Sequence, residues 1–253
     1  MKTLDDIEND YSRYVDTFRE ADGRLPPMME LKRIHTGFVV ENAKLVADGE
    51  AFGPDERYVA LVAAQLHDVG RYEQLRRYDT FRDSESVDHA EFSCEIVEKN
   101  GWLDRREREI LDAIRFHNKR SLPEGLDPLA FTAANAVRDA DKLDIFRVLE
   151  DQIGNCDWRG DPRVFWNLPV DAPPSADVLE HVRDGKPVDY QNIRSLADFV
   201  LIQIGWIKSG LYFAVSRRLA AERRHLEFRL RFLREIGAGG ADLDFAAHTG
   251  GEI

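Results

Sequence analysis

Six residues of this chain have side chains suited to metal chemistry: His35, the adjacent pair His67-Asp68, His89, His117 and Asp141. Imidazole and carboxylate without thiolate make a donor set for borderline or hard divalent ions such as manganese, iron, cobalt, nickel, zinc or magnesium. Such ions polarise phosphate and turn water into a nucleophile near neutral pH. An aspartate between two cations can bridge them, and hydroxide held there can attack phosphorus in line. A lone histidine in a helical pattern is usually structural. The weight falls on the six together.

Neighbouring side chains on a helix point about 100° apart, so such a site has to be assembled from several helices. The sequence supplies them. Pro26-Pro27 and the spacing of Leu31, Ile34, Phe38 and Leu45 predict a helix from about Met28 to Ala47, carrying His35. Pro54-Asp55-Glu56 announces a second, largely buried helix running through Val59, Leu61, Val62 and Leu66 to His67-Asp68, with Gly70 placed to end it. Asp88 can cap a third, which holds His89 in its first turn, carries Phe92, Ile96 and Val97, and stops at Asn100-Gly101. Asp104 with Glu107 resembles a capping box for a fourth, which reaches His117. Asp127-Pro128 opens a fifth, with Asp141 beside its apolar stripe.

From Gln152 to Asn192 the pattern is irregular, with Pro162, Pro169, Pro173, Pro174 and Pro187 and a short helix expected near Ala176 to Arg183. Ser195 with Asp198 starts a long helical stretch to about Leu233, with a bend expected at Gly205 or Gly210. With no strand alternation and no repeat, the expected architecture is a single all-α domain over residues 1–253. Its core spans 28–150, a helical extension spans 151–236, and the glycine-rich tail 237–253 is loosely ordered.

Acidic residues outnumber basic ones 47 to 35, giving a formal charge of -12 that argues against a duplex nucleic acid partner. Met1 to Asp6 lack the apolar core of a signal peptide, and the apolar run Phe199 to Ile207 is interrupted by Gln203 and Gly205, so a soluble cytoplasmic protein without a membrane partner is expected. Cys94 and Cys156 read as ordinary thiols. Trp158, Phe165, Trp166 and Trp206 read as core, and His181, His225 and His248 as surface residues. The basic run Arg217-Arg218 and Arg223-Arg224 reads as a solvated face.

The order His35, His67-Asp68, His89, His117, Asp141 resembles the HD-domain superfamily of metal-dependent phosphohydrolases over roughly residues 28 to 150. So do the strings His67-Asp68-Val69-Gly70-Arg71 and Arg138-Asp139-Ala140-Asp141-Lys142-Leu143-Asp144. The resemblance implies a multi-helix bundle in which His35, His67, Asp68 and Asp141 hold one ion, and bridging Asp68 with His89 and His117 holds a second. Asp139 competes with Asp141 for the last position, and the family register favours Asp141. Asp139 or Asp144 is then left to orient a ligand histidine. The Gly-Tyr-Pro signature of the cyclic-dinucleotide branch is missing after His117, and Arg71 stands where deoxynucleotide monophosphatase-like members carry glutamate. The Glu-Asp signature of alarmone hydrolases is absent too, which leaves the generic branch.

The expected activity is therefore hydrolysis of a phosphomonoester or phosphodiester of a nucleotide or another small phosphorylated metabolite. Asp68 and Arg71 stand at the reaction centre, and Arg71 and Lys119 grip phosphate, with Arg82, Arg120 and Lys142 able to join them. Arg71 has an alternative role as a cation at a helix C-terminus, and Lys119-Arg120 as a solvated pair. Two competing functions remain: an iron-dependent oxygenase built on a similar ligand set, and a nucleotide-binding regulatory module. Exposed helical faces permit a homodimer.

Overall fold

The computed structural model describes residues 1–160, 165 and 167–238, and every regular element among them is helical. The fold is all-α. Two compact units divide the chain, Met1–Asp144 and Ile145–Ile253. Pro162, Trp166, His248 and the tail beyond residue 238 lie outside the described residues.

The first unit opens with a helix the sequence reading did not anticipate, α1 (Leu4–Asp16). Thr3 caps it: Thr3 Oγ1 accepts from the Asp6 N–H at 3.2 Å and Asp6 Oδ2 accepts from the Thr3 N–H at 2.8 Å. Ile7, Tyr11 and Val15, four residues apart, then bury one face. Helix α2 (Pro27–Gly49) and helix α3 (Pro54–Leu66) pack together, and α3 also meets α1 and α6 (Glu107–Phe116). Hence α3 is apolar on nearly all sides, burying Val59 to Ala64 and Leu66.

The apolar spacing that predicts α2 does not mark its buried face. Ile34, Phe38 and Leu45 stand 39%, 44% and 44% exposed, while Met29, Val39, Ala43, Val46 and Ala47 are buried. Small Ala43 and Ala47 allow close approach to α3. The same rotation brings His35, Thr36 and Asn42 inside, where Asn42 Nδ2 donates to the Ala140 carbonyl at 3.2 Å.

Gly70 does not end α3. That helix stops at Leu66, His67 to Val69 form a turn, and Gly70 opens α4 (Gly70–Tyr78). The glycine is needed for packing: a Cβ there would lie 2.8 Å from the His89 carbonyl oxygen and from the Ser93 nitrogen, both backbone atoms of α5 (His89–Asn100). Ser93 Oγ accepts from the Gly70 N–H at 2.9 Å and donates to the His67 or His89 carbonyl oxygen, each at 2.8 Å. Gly70→Ala is expected to cost about 1–3 kcal/mol by forcing α4 away from α5. Urea unfolding checks this, and a variant as stable as the parent contradicts the close approach.

Asp88 caps α5 as expected, its Oδ1 accepting from the Ala90 and Glu91 N–H groups, and Gly101 ends the helix in the left-handed region at φ 59. The anticipated capping box at Asp104 and Glu107 does not form. Arg106 precedes α6 with no side-chain cap, and Asp104 accepts instead from the Lys2 N–H at 2.7 Å. Helix α7 (Pro128–Asn155) starts where Asp127-Pro128 predicts, and the first unit ends within it at Asp144.

In the second unit, α8 (Ala176–Arg183) matches the short helix expected there, and α9 (Leu196–Gly205) begins at Ser195, whose Oγ accepts from the Asp198 N–H. The long helix expected beyond Ser195 is broken. A π-helical turn, Trp206–Gly210, separates α9 from α10 (Ala214–Glu222), and Arg224 at φ 57 separates α10 from α11 (His225–Glu235). Trp158 and Phe165 lie in the core with Leu149, Val200 and Phe232. His225 is not a surface residue: it is buried, with Nδ1 2.7 Å from Glu150 Oε1. No helix among the described residues is long and apolar enough to cross a membrane.

Candidate metal centre

Each ligand expected from the sequence sits at a helix end or on a buried helix face. His35 comes from α2, His67 and Asp68 from the turn after α3, His89 from the first residue of α5, His117 from the C-cap of α6 and Asp141 from α7. All six converge. His35 Nε2 lies 3.1 Å from Asp141 Oδ1 and 3.7 Å from Asp68 Oδ2, and His67 Nε2 lies 3.6 Å from Asp68 Oδ2. On the other side of the carboxylate, His89 Nε2 is 3.5 Å from Asp68 Oδ1 and 3.2 Å from His117 Nε2. Of the two rival aspartates, Asp141 approaches the imidazoles.

The imidazoles are held in one orientation by their other nitrogens. His67 Nδ1 lies 2.8 Å from the Ala64 carbonyl oxygen and His117 Nδ1 2.7 Å from the Ile114 carbonyl oxygen. A carbonyl only accepts, so both rings carry the proton on Nδ1 and present an Nε2 lone pair when neutral. Carboxylates do the same for the other two, Asp144 Oδ2 at 2.6 Å from His35 Nδ1 and Asp83 Oδ2 at 2.5 Å from His89 Nδ1. The lone pairs of His89 and His117 then face each other, and the buried Nε2 atom of His67 has no hydrogen-bond partner. Leaving buried acceptors unpaired costs about 1–3 kcal/mol each. Divalent cations among these nitrogens and the Asp68 and Asp141 oxygens remove that cost, so the residues fit the metal implied by the donor set.

Residues 33–145 match the family model of the HD domain. This segment is an HD domain. HD domains bind divalent metals and are mostly metal-dependent hydrolases. No curated protein and no solved structure matches the chain significantly.

Electrostatics prepares the ligands of the HD domain unequally. Burial pushes His67 and His89 below the ordinary imidazole value, and burial together with the neighbouring His67 and His89 rings pushes His117 down to about 3. Burial and Lys32 also push His35 down, but the carboxylates of Asp141 and Asp144 outweigh them and its value ends raised. Burial raises Asp68 and Asp141, yet the cations and imidazoles around them bring both below the usual carboxylate range. Of the four imidazoles, His35 is therefore the one that holds its proton to the highest pH, and an incoming ion has to displace that proton as pH falls. A raised value means the protonated fraction grows as pH falls through it, so affinity is expected to fall about tenfold per pH unit on the acid side. Calorimetric manganese titrations in buffers of different ionisation enthalpy read this as proton release that grows as pH falls. An affinity flat across that range contradicts it.

The predicted phosphate-gripping cations are placed differently from one another. Arg71 lies beside Asp68, Nε to Oδ1 3.4 Å, but its Nη1 donates to the Phe81 carbonyl at 2.6 Å, to Gln74 Oε1 at 2.8 Å and to Asp83 Oδ1 at 2.9 Å. Its guanidinium thus ties down the chain between α4 and α5. Lys119 pairs with Asp88, and Arg82 pairs with Glu85. A cation missed by the sequence reading, Lys32, donates from Nζ to Asp68 Oδ2 at 2.7 Å. Its signal was present: Lys32 precedes His35 by three residues and so shares its helix face. Asp83, the support of His89, lies on a 3₁₀ turn, Asp83–Glu85, where no periodicity marks it.

Proposed function

We propose that this HD domain is a phosphohydrolase that cleaves a phosphomonoester or phosphodiester of a nucleotide or another small phosphorylated metabolite. One observation carries the reading: four buried histidines, each anchored at Nδ1, turn their Nε2 atoms toward the two oxygens of Asp68 and toward Asp141. His35, His67, Asp68 and Asp141 would hold one divalent ion, and Asp68, His89 and His117 a second. Such ions supply Lewis acidity toward phosphate and lower the pKa of water.

The chain's own side chains do the rest. Asp68 would serve both positions, because Oδ2 faces His35 and His67 while Oδ1 faces His89. Lys32 offers an ammonium at the same carboxylate with its side chain 20% exposed, so it can turn from Asp68 to a phosphate oxygen without a large desolvation cost. Phe81 lies beneath both Lys32 and Arg71, with its centroid 5.6 and 5.7 Å away, and keeps the two cations near the carboxylate. A compact cationic pair of this kind suits a small phosphate ester, and the acidic chain as a whole disfavours a nucleic acid duplex.

Elemental analysis of protein purified without added metal or chelator, followed by an anaerobic screen with manganese for phosphate release from monoesters and for cleavage of diesters, tests the proposal. Roughly two ions per chain and ester cleavage without oxygen are expected. Bound iron with oxygen consumption and no ester cleavage overturns it in favour of an oxygenase. Tight nucleotide binding without turnover in any metal overturns it in favour of a regulatory module.

A further inference from the structure

The four Nδ1 anchors form two unlike pairs. Each expected ion has one histidine backed by a backbone carbonyl, His67 or His117, and one backed by a carboxylate, His35 on Asp144 or His89 on Asp83. A carboxylate behind an imidazole fixes its orientation and makes Nε2 a stronger donor, so losing it weakens the metal. The two carboxylates differ in how they are held. Asp144 is 1% exposed and sits on α7 three residues after Asp141, so one helix carries both a ligand and the support of another. Asp83 belongs to the three-residue turn between α4 and α5, with its side chain 33% exposed.

Two residues of α4 keep Asp83 in place. Asp83 Oδ1 accepts from Arg71 Nη1 at 2.9 Å and from Gln74 Nε2 at 3.0 Å, leaving Oδ2 for His89. Gln74 is fully buried, and its amide also donates to Ser86 Oγ at 2.8 Å and the Val87 carbonyl at 3.1 Å. The orientation of His89 thus depends on a short surface turn pinned by hydrogen bonds, whereas that of His35 depends on the interior of a long helix. Short segments with few buried contacts open at lower free energy than helices in the core.

From this asymmetry we infer that Asp83 and Gln74 are positioning residues for the ion at His89 and His117. That ion is the exchangeable one of the pair, lost while the ion at His35, His67 and Asp141 remains. The inference rests on the two-ion reading above. A chain of this design carries a separately adjustable second ion, and whatever moves the Asp83–Glu85 turn sets its occupancy.

Manganese titration of the full chain, with free ion followed by electron paramagnetic resonance, tests it in the parent and three variants. The parent is expected to bind two ions of unequal affinity. Asp83→Asn weakens the second by about 10- to 100-fold and leaves the first unchanged, whereas Asp144→Asn weakens the first. Gln74→Ala acts in the same direction as Asp83→Asn and, touching no ligand itself, separates positioning from ligation. Thermal melts of the metal-free proteins confirm that each variant is folded. Equal weakening of both ions by Asp83→Asn, or no change in either, overturns the inference while leaving the two-ion reading intact. A parent that takes up one ion or none overturns the two-ion reading itself, and the inference with it.

Discussion

Asp68→Ala is expected to abolish phosphate release and to empty both metal positions. The argument is geometric. One carboxylate places Oδ2 within 3.7 Å of His35 Nε2 and 3.6 Å of His67 Nε2, and Oδ1 within 3.5 Å of His89 Nε2. Removing it leaves neutral imidazoles and Asp141 to face two divalent charges. Metal assistance to phosphate chemistry is worth several kcal/mol, and each 1.4 kcal/mol is a factor of ten, so a loss of at least about 10³-fold in turnover follows. Asp68→Asn separates charge from size, because the amide keeps the volume and loses the bridge. Folding should survive both changes, since Lys32, the cation released, has its side chain 20% exposed and can reach water. Turnover unchanged with ions still bound would remove Asp68 from the centre of the mechanism.

The helical frame could be read from the sequence because it rests on local signals. Asp88 and Asp127 accept backbone N–H bonds at the starts of α5 and α7, and Gly101 takes the left-handed conformation that ends α5. These are interactions between residues a few positions apart. Failures occurred where distant contacts decide. Gly70 looks like a helix stop, but the backbone of His89 and Ser93 requires a residue without Cβ there. The apolar residues Ile34, Phe38 and Leu45 suggest the buried face of α2, but the need to bring His35 to Asp141 and Asp144 turns another face inward. Asp104 satisfies a capping pattern with Glu107, yet bonds to the N-terminal segment. Ile7, Tyr11 and Val15 behind the Thr3-Asp6 cap are a local signal for α1 of the same kind.

The same distinction applies inside the site. The expected ligands rest on residue type and family order, whereas the orientation of the four imidazoles comes from Ala64, Asp83, Ile114 and Asp144, whose roles depend on where the fold delivers them. Arg71 shows how the two can diverge. Its position beside Asp68 suits anion binding, but its Nη1 bonds commit it to the chain that carries Phe81 and Asp83. A substitution there alters His89 as well as any phosphate contact, so its effect on turnover cannot be assigned to either without a metal titration.

The largest stability effect is expected at Arg229 in the second unit, a residue with no chemistry suggested by its neighbours in sequence. Arg229 is fully buried, and its guanidinium stacks 4.5 Å from the Phe146 centroid. Nη1 donates to Glu150 Oε1 at 2.7 Å and the His225 carbonyl at 2.8 Å, Nη2 to Gln203 Oε1 at 2.7 Å and the Phe146 carbonyl at 3.1 Å, and Nε to Gln203 Oε1 at 3.0 Å. Burial pushes the guanidinium down to about 10, so it remains charged at neutral pH. Arg229→Ala strands Glu150, Gln203 and two carbonyls beside a new void, and is expected to cost about 3–5 kcal/mol. Arg229→Met with Glu150→Gln should recover most of that loss, because removing both charges removes the desolvation cost along with the attraction. Burial raises Glu150 but His225 and Arg229 lower it further, so its contribution holds above the ordinary carboxylate value and is lost as pH falls through the depressed one. Urea unfolding at neutral and acidic pH reads all three effects. An Arg229→Ala protein within about 1 kcal/mol of the parent would show that water replaces the guanidinium without penalty, and would sink the argument.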